Sequence, residues 1–373
     1  MPKQNYDRSE YQELAYKYRP LLVLYPEIED GSQRKDHYHP LGDIREHPPL
    51  DQDYHPRDIR FILDHVWTRS GTGKSLREEV LDAMSENRVD HVDLIDKRGP
   101  KDVDKFWRVY AGVHDKDNNP EYRRKAYARV ARGDRWFKDY ISIQYWLAYF
   151  FDDWANVHEM DWETVSIILK KTDSTEEPIA CVFNAHIGAF RKPWKEVQKV
   201  NDAGGRSPQG QHPVAYIANG SHAAYFSDYP PYFSVAAPYL GTVLRTVVRI
   251  AKIGKPFTDY VPQFEEAVKC FPEVDVIPEP DEHGRWSGEW RWLNFKGKWG
   301  SPVEMSFGER IIARVPVVRR LAKFFKRPLR ESGPPGPNTR GTCWEEPFDW
   351  INLECFDVPE PKPWIGEVSQ ETM

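Results

Sequence analysis

The chain has 373 residues, 40% of them hydrophobic and 14% aromatic, which is enough apolar material for a packed core and excludes disorder of the whole chain. Its net charge of -6 argues against a general nucleic-acid-binding protein. The 14 Trp and 31 Pro residues favour aromatic-rich sheets joined by many turns over a helical bundle.

In chain order, the hydrophobic pattern predicts mostly short strands. These strands are expected at residues 21–25, 103–114, 140–151, 161–169, 178–190 and 212–226. The segment 140–151 is aromatic and apolar almost throughout, so it belongs in the core. Apolar residues at helical spacing predict helices at 75–87, 241–253 and 307–325. The tail from Ser332 is rich in Pro, Gly and Trp and is expected to wrap around the body.

These elements predict a mainly β protein, α+β overall. The expected architecture is a twisted antiparallel β-sandwich in a single domain spanning residues 1–373. Helical insertions on its outside are expected near 75–90, 241–256 and 307–330. Strand ends and loops converge at the two ends of a sandwich, so a functional site is expected at one end.

Residues 158–163 read HEMDWE and place an imidazole and two carboxylates close together. A strand that starts near Asp161 points Asp161 and Glu163 to one face and Trp162 to the other. Two carboxylates side by side repel unless a positive group lies between them. A divalent cation would supply that charge, with His158 reaching it from the preceding turn. The alternative is a polar strand end whose acids pair with Arg and Lys side chains.

Carboxylates, one imidazole and water suit Ca²⁺ or Mg²⁺ best, with Mn²⁺ as the next candidate, because hard cations prefer oxygen ligands. Direct binding by His186 or His222 would instead favour Mn²⁺, Fe²⁺ or Zn²⁺. The alternative for each of these two histidines is a core imidazole that braces the metal ligands from behind. No other cofactor is predicted.

A basic amphipathic segment spans residues 311–330. Its apolar residues recur at about helical spacing, and basic residues, among them Arg319, Arg320, Lys323 and Lys326, occupy the remaining positions. Such a helix can lie on an anionic membrane surface. It can equally pack on the body of the protein with its basic face in solvent.

The sequence predicts a cytoplasmic protein that is peripheral on a membrane at most. No apolar run reaches the roughly 18 residues that a transmembrane helix needs. The first eight residues lack the apolar core of a signal peptide. The four Cys residues form no CxxC pair and suggest reduced thiols.

Several motifs together resemble the vacuolar protein sorting-associated protein 62 family. They are HEMDWE at 158–163, AHIG at 185–188 and HPVAYIANGSHA at 212–223. The opening YRPLLVL at 18–24, FKGKWG at 295–300, GPPGP at 333–337 and Trp344 extend the resemblance to both ends. The string His-x-x-Asp-Trp-Glu is also similar to the core of the necrosis-inducing cytolysins.

The cytolysin resemblance implies a β-sandwich with a bound Ca²⁺ or Mg²⁺. Carried over, it implies His158, Asp161 and Glu163 as metal ligands and Asp152 or Asp153 as a further acid. It also implies that His186 and His222 face the same cavity. The chain departs from those proteins in lacking a secretion signal and in having Val157 and Glu159 beside His158.

Two functions follow as predictions. In the first, a bound cation bridges a lipid headgroup or glycan while the basic segment rests on an anionic membrane. The alternative is a metal-dependent hydrolase of an ester or phosphoester, in which the cation lowers the pKa of a bound water and His222 or His186 moves protons. The density of ionisable groups favours the hydrolase, and the resemblance favours a binding function. We take the binding function as the first prediction.

Overall fold

In the computed structural model, two mixed β-sheets pack face to face and a helical layer covers the outer face of the larger one. The structure describes residues 8–29, 53–66, 77–94, 103–113, 116–134, 137–152, 158–172, 175–185, 188–228, 261–301, 333–340, 342–345 and 347–348. The predicted helices at 241–253 and 307–325, the basic segment 311–330, Asp153 and His186 lie outside these residues.

The larger sheet has six strands in the order β12-β3-β4-β5-β6-β7. Its strands are β3 (Lys125–Arg132), β4 (Tyr140–Asp152), β5 (His158–Lys171), β6 (Glu176–Ala185), β7 (Gly188–Pro193) and β12 (Glu273–Val276). The β12–β3 pair is parallel and the other pairs are antiparallel.

The smaller sheet has five strands, in the order β10-β9-β1-β11 with β8 also paired to β9. These are β1 (Leu21–Leu24), β8 (Lys199–Val200), β9 (His212–Ile217), β10 (Ala224–Tyr225) and β11 (Val268–Cys270). The β1–β9 pair is parallel. A separate pair joins β2 (His91–Val92) to β13 (Lys298–Trp299).

Short helices complete the described elements. They are α1 (Arg8–Lys17), α2 (Ile59–Leu63), α3 (Arg77–Ser85), α4 (Val103–Ala111) and α5 (Thr342–Glu345). Single 3₁₀ segments lie at Trp194–Glu196, Gly288–Asn294 and Pro337–Thr339. No helix in the described ranges is long and apolar enough to cross a membrane.

The larger sheet is buried on both faces, which explains the continuous apolar run at 140–151. One face packs against β1, β9 and β10 in a core that includes Tyr145, Ile167 and Tyr216. The other face packs against α2, α3, α4 and the 3₁₀ segment Gly288–Asn294, in a core that includes Trp162 and Trp292. The predicted mainly β sandwich is therefore confirmed, with two parallel pairs that make its sheets mixed.

One predicted strand is wrong. Residues 103–114 were expected to form a strand, but Val103–Ala111 is helix α4. Phe106, Trp107, Tyr110 and Ala111 are its buried residues, at the spacing of one helix face. This aromatic run has the composition of a strand, but the segment forms a helix because one helix face packs against the outer face of the larger sheet. The single-domain organisation stays a prediction.

Candidate functional site

The paired ends of β4 and β5 bring the predicted acids to the side of the larger sheet that faces the smaller one. In their antiparallel register, Tyr149 is opposite Asp161 and Leu147 is opposite Glu163. Asp161 and Glu163 therefore share the face of Tyr149 and Leu147, and both are buried. Trp162 points to the opposite core, as its strand position predicts.

His222 comes from the turn between β9 and β10 and lies between two carboxylates. Its Nδ1 is 3.3 Å from Asp161 Oδ2, and its Nε2 is 3.6 Å from Asp53 Oδ1. The backbone N–H of Gly220 donates to Asp53 Oδ2 at 3.0 Å, which ties Asp53 to the same turn. The Tyr149 ring stacks on the imidazole with centroids 3.9 Å apart. The imidazole is thus held by one hydrogen bond and one stacked ring, while Nε2 lies beside Asp53 without a hydrogen-bond partner among the described residues.

A second imidazole–carboxylate pair lies where β4 ends and β5 begins. Asp152 is opposite His158 in the strand register, and His158 Nε2 is 3.3 Å from Asp152 Oδ2. His158 therefore belongs to β5 itself, whereas the sequence predicted that it would reach the acids from a preceding turn. Its Nδ1 lies 2.6 Å from the Met160 carbonyl oxygen and donates to it.

Two residues of the cluster have left-handed backbone conformations. Met160 has φ 54° and His222 has φ 55°. Such values are uncommon outside glycine, and a side chain held there costs free energy that the surrounding structure must supply. Both residues hold members of the cluster in place. Backbone strain stored at such positions is typical of functional sites.

Charge pairing inside the cluster shifts the pKa of its members. Burial alone would lower the pKa of His222, but the hydrogen bond with Asp161 and the nearby carboxylate of Asp53 raise that pKa to about 10. Burial is likewise outweighed at His158, whose pKa Asp152 raises to about 9. Burial would raise the pKa of Asp161, but contact with His222 holds it below its ordinary value. The paired carboxylates therefore favour the cationic form of both imidazoles.

Glu163 differs from the other acids of the cluster because it has no paired imidazole. Burial, and next the charge of Asp161, raise its pKa well above the ordinary value. Its Oε2 is buried and has no hydrogen-bond partner among the described residues. The Tyr149 hydroxyl, also fully buried, is without a partner there too. Buried polar atoms in this state are rare, and a water, ion or ligand usually accounts for them.

The donor chemistry of the cluster fits a hard divalent cation, since it offers carboxylate oxygens with imidazole beside them. Its arrangement is nevertheless one of acid–imidazole pairs. In the described part of the chain, no group of three or more His, Cys, Asp or Glu side chains is set to hold a metal ion. Binding a cation would therefore require side chains such as Glu163 to turn toward a common point.

The structure brings together most of the predicted site and adds residues that the sequence did not indicate. His158, Asp161, Glu163, Asp152 and His222 lie in one buried cluster. The additions are Asp53, Tyr149 and Arg340. No local spacing marks them, because they reach the cluster from a loop, a core strand and the tail.

Comparisons with known proteins found likenesses only among solved structures. No family model and no curated protein matches the chain. Among solved structures it is similar to the necrosis and ethylene inducing protein 2 from the causal agent of cocoa's witches' broom disease, at 20% identity over 28% of this chain and 45% of that one, with TM-score 0.22. Non-toxic HaNLP3 matches at 14% identity over 60% and 72%, with TM-score 0.29.

A third structure, NLPPya in complex with glucosamine, matches at 19% identity over 28% of this chain and 44% of that one, with TM-score 0.20. The chain spans less than half the length of the first solved structures that it matches, 44% to 45%. These likenesses are too distant to inform the site. Membership of the vacuolar protein sorting-associated protein 62 family stays a prediction.

Proposed function

We propose that the chain binds a divalent cation at the buried acidic cluster and recognises an oxygen-rich ligand there, a lipid headgroup or a glycan. The observation that carries the proposal is Glu163, whose buried Oε2 lacks a partner in the described structure beside Asp161. Ca²⁺ and Mg²⁺ suit such oxygen donors best. Asp161 and Glu163 would hold the cation, with Asp152, His158 and His222 around them.

When bound, the cation would offer open coordination positions to hydroxyl or phosphoryl oxygens of the ligand. The chain's own contribution is orientation. Tyr149 and Asp53 fix the ring of His222, and His222 in turn fixes one oxygen of Asp161. The other Asp161 oxygen accepts from the Trp162 backbone N–H at 2.8 Å. The carboxylate is therefore held before a ligand arrives.

The proposal predicts that Ca²⁺ or Mg²⁺ raises the melting temperature of the wild-type protein relative to chelator. A ligand at 100 times its dissociation constant adds about 2.7 kcal/mol of stability. Glu163→Gln keeps the size of the side chain but removes a charged ligand, so most of this gain should disappear. Glu177→Gln, at an exposed position of β6, is the matched control and should respond like the wild type. Equal wild-type melting temperatures in cation and in chelator would contradict the proposal.

The alternative, a metal-dependent hydrolase, has one supporting observation, the hydrogen bond between His222 and Asp161. A base oriented by a carboxylate is the usual arrangement for proton transfer. Nδ1 of His222 is hydrogen-bonded to Asp161, however, and Nε2, although it has no hydrogen-bond partner among the described residues, points toward Asp53 at 3.6 Å. Binding is therefore the better-supported function. Turnover of a nitrophenyl ester or phosphoester that requires the cation and is lost in His222→Gln would favour the hydrolase.

A further inference from the structure

We infer that Arg340 is the residue of the cluster that recognises the ligand, and that the ligand carries a phosphate group. The inference deepens the proposed function and rests on it for the cation. The tail places the Arg340 guanidinium beside Asp161, with Nη2 3.9 Å from Asp161 Oδ1. That distance is an ion pair without a hydrogen bond.

The position of Arg340 is set by contacts that do not involve its side chain. The Arg340 backbone N–H donates to the Pro337 carbonyl at 3.2 Å and closes a 3₁₀ turn. Upstream, the Trp299 backbone N–H donates to the Pro334 carbonyl at 2.9 Å. The Asn338 side-chain amide donates to the Leu293 carbonyl. These backbone and side-chain contacts therefore hold the tail segment that positions the guanidinium at the cluster.

The guanidinium has hydrogen-bonding capacity that its surroundings do not use. The Arg340 Nε is buried and has no hydrogen-bond partner among the described residues. Leaving such a donor unsatisfied costs free energy, so an acceptor, either a water or a ligand, would stabilise it. Arginine presents its N–H groups as a planar fork, which matches two oxygens of one anion.

Arg340 is also the accessible member of the cluster. Its side chain is 20% exposed, against 6% for Asp161 and 0% for His222. The Tyr149 hydroxyl, which also has no partner among the described residues, is fully buried. A ligand that approaches from solvent therefore meets the guanidinium before the carboxylates. An anionic group suits this direction of approach, because the positive guanidinium offsets the repulsion that the carboxylates alone would cause.

A phosphate fits the Arg340 guanidinium and the proposed cation together better than a planar carboxylate does. Its tetrahedral oxygens can give two acceptors to the guanidinium and a further oxygen to a cation held by Asp161 and Glu163. A planar carboxylate has only two oxygens to share. The same chemistry occurs in a phospholipid headgroup and in a free phosphate ester, which the experiment separates.

The test is a calorimetric titration of inorganic phosphate into the full-length protein with Mg²⁺ present. Arg340→Gln should weaken phosphate binding at least tenfold, and Arg340→Lys, which keeps the charge without the fork, should give an intermediate loss. Arg285→Gln, at an exposed position, is the control for loss of one positive charge and should bind like the wild type. Unchanged melting temperature in chelator shows that each variant is folded.

A wild type that binds no phosphate, or an Arg340→Gln variant that binds it equally well, overturns the inference. The cation is tested separately by the melting temperature of the wild type with and without Mg²⁺. If that difference is absent while phosphate binding still depends on Arg340, the inference stands and the proposed cation does not. Binding to vesicles of phosphatidylcholine with phosphatidic acid then identifies the source of the phosphate group. Weaker retention of Arg340→Gln than of the wild type on the vesicles indicates a lipid headgroup, and equal retention indicates a soluble phosphate.

Discussion

At the residue scale, the buried His55 shows how this fold controls charge away from the acidic cluster. Its Nε2 donates to the Tyr25 carbonyl at 2.7 Å, and its Nδ1 accepts from Arg124 Nε at 2.8 Å. That pattern needs a neutral ring. The neighbouring Arg57 is fully buried and is paired with Glu27, Asp117 and Tyr110. His55 is a neutral core residue, whereas nearby carboxylates raise the pKa of His158 and His222.

This arrangement predicts a specific loss of stability in acid. Burial lowers the pKa of His55 from its ordinary 6.5 to about 4, which the charge of Glu27 only partly offsets. Between these two values the unfolded chain binds a proton that the folded chain does not. The free energy of unfolding should therefore fall as pH drops through this window, by about 3 kcal/mol from this residue, and be fully retained above it.

Denaturant unfolding across this pH window tests the prediction. His55→Gln can donate to the same carbonyl and accept from Arg124 but does not titrate, so its stability should depend less on pH than that of the wild type. His283→Gln, whose native side chain is 75% exposed, is the control. Parallel pH profiles for His55→Gln and the wild type would show that His55 does not contribute.

At the element scale, the tail residues 333–340 and 342–345 act as a strap over the larger sheet and the 3₁₀ layer. The Gln144 side chain donates to the Cys343 carbonyl at 2.6 Å, and Arg129 Nη1 donates to the Trp344 carbonyl at 2.5 Å. The Arg129 guanidinium also lies 4.5 Å from the centroid of the Trp344 ring. The predicted wrapping of the tail is therefore confirmed where the structure describes it.

The strap depends on a close approach of backbone to backbone at Gly333. A Cβ atom there would lie 1.9 Å from the Trp299 carbonyl oxygen and 2.6 Å from the Gly300 Cα. Gly333→Ala should therefore force the strap outward and destabilise the protein by about 1–3 kcal/mol. Gly205→Ala meets Asn201 only at ordinary contact, 3.5 Å, and should stay within about 0.5 kcal/mol of the wild type.

Chemical denaturation of the two glycine variants gives the comparison. Arg340 lies on the same strap, so Gly333→Ala should also weaken phosphate binding while Gly205→Ala leaves it unchanged. Equal stability of the two variants would mean that the backbone at 333 can move without loss.

At the scale of the whole molecule, the proposed membrane association depends on the basic segment 311–330, which lies outside the described residues. If it touches lipid, vesicle binding should require anionic lipid and weaken with salt. Replacing Arg319, Arg320, Lys323 and Lys326 with Gln should cost roughly 1 kcal/mol of binding per residue. Co-sedimentation with vesicles measures this.

The control variant replaces four exposed lysines elsewhere and has the same net charge; these are Lys138, Lys195, Lys296 and Lys298. It should bind anionic vesicles nearly as well as the wild type. Equal losses in both variants would indicate attraction by total charge, and binding that ignores salt would favour a helix packed on the body. The cytoplasmic location remains part of this proposal.

The sequence by itself indicated most of the strands and five of the eight residues of the cluster. Alternation along β5 sends Asp161 and Glu163 to one face and Trp162 to the other, because side chains on a strand have a period of two. The aromatic run of β4 indicated a core strand, and the structure buries it on both faces. Sequence reasoning failed at α4, because a short aromatic segment fits either period and only the outer layer against which it packs selects the helix.

Only the tertiary structure decided how the cluster is completed. Asp53, Tyr149 and Arg340 come from a loop, a core strand and the tail, and contacts at such sequence separations leave no local pattern. The left-handed backbone at His222 likewise lies in a turn closed by the hydrogen bond from the His222 N–H to the Ala218 carbonyl at 3.1 Å. Local sequence fixes which way a side chain points along its own strand, whereas packing of distant segments fixes what it meets.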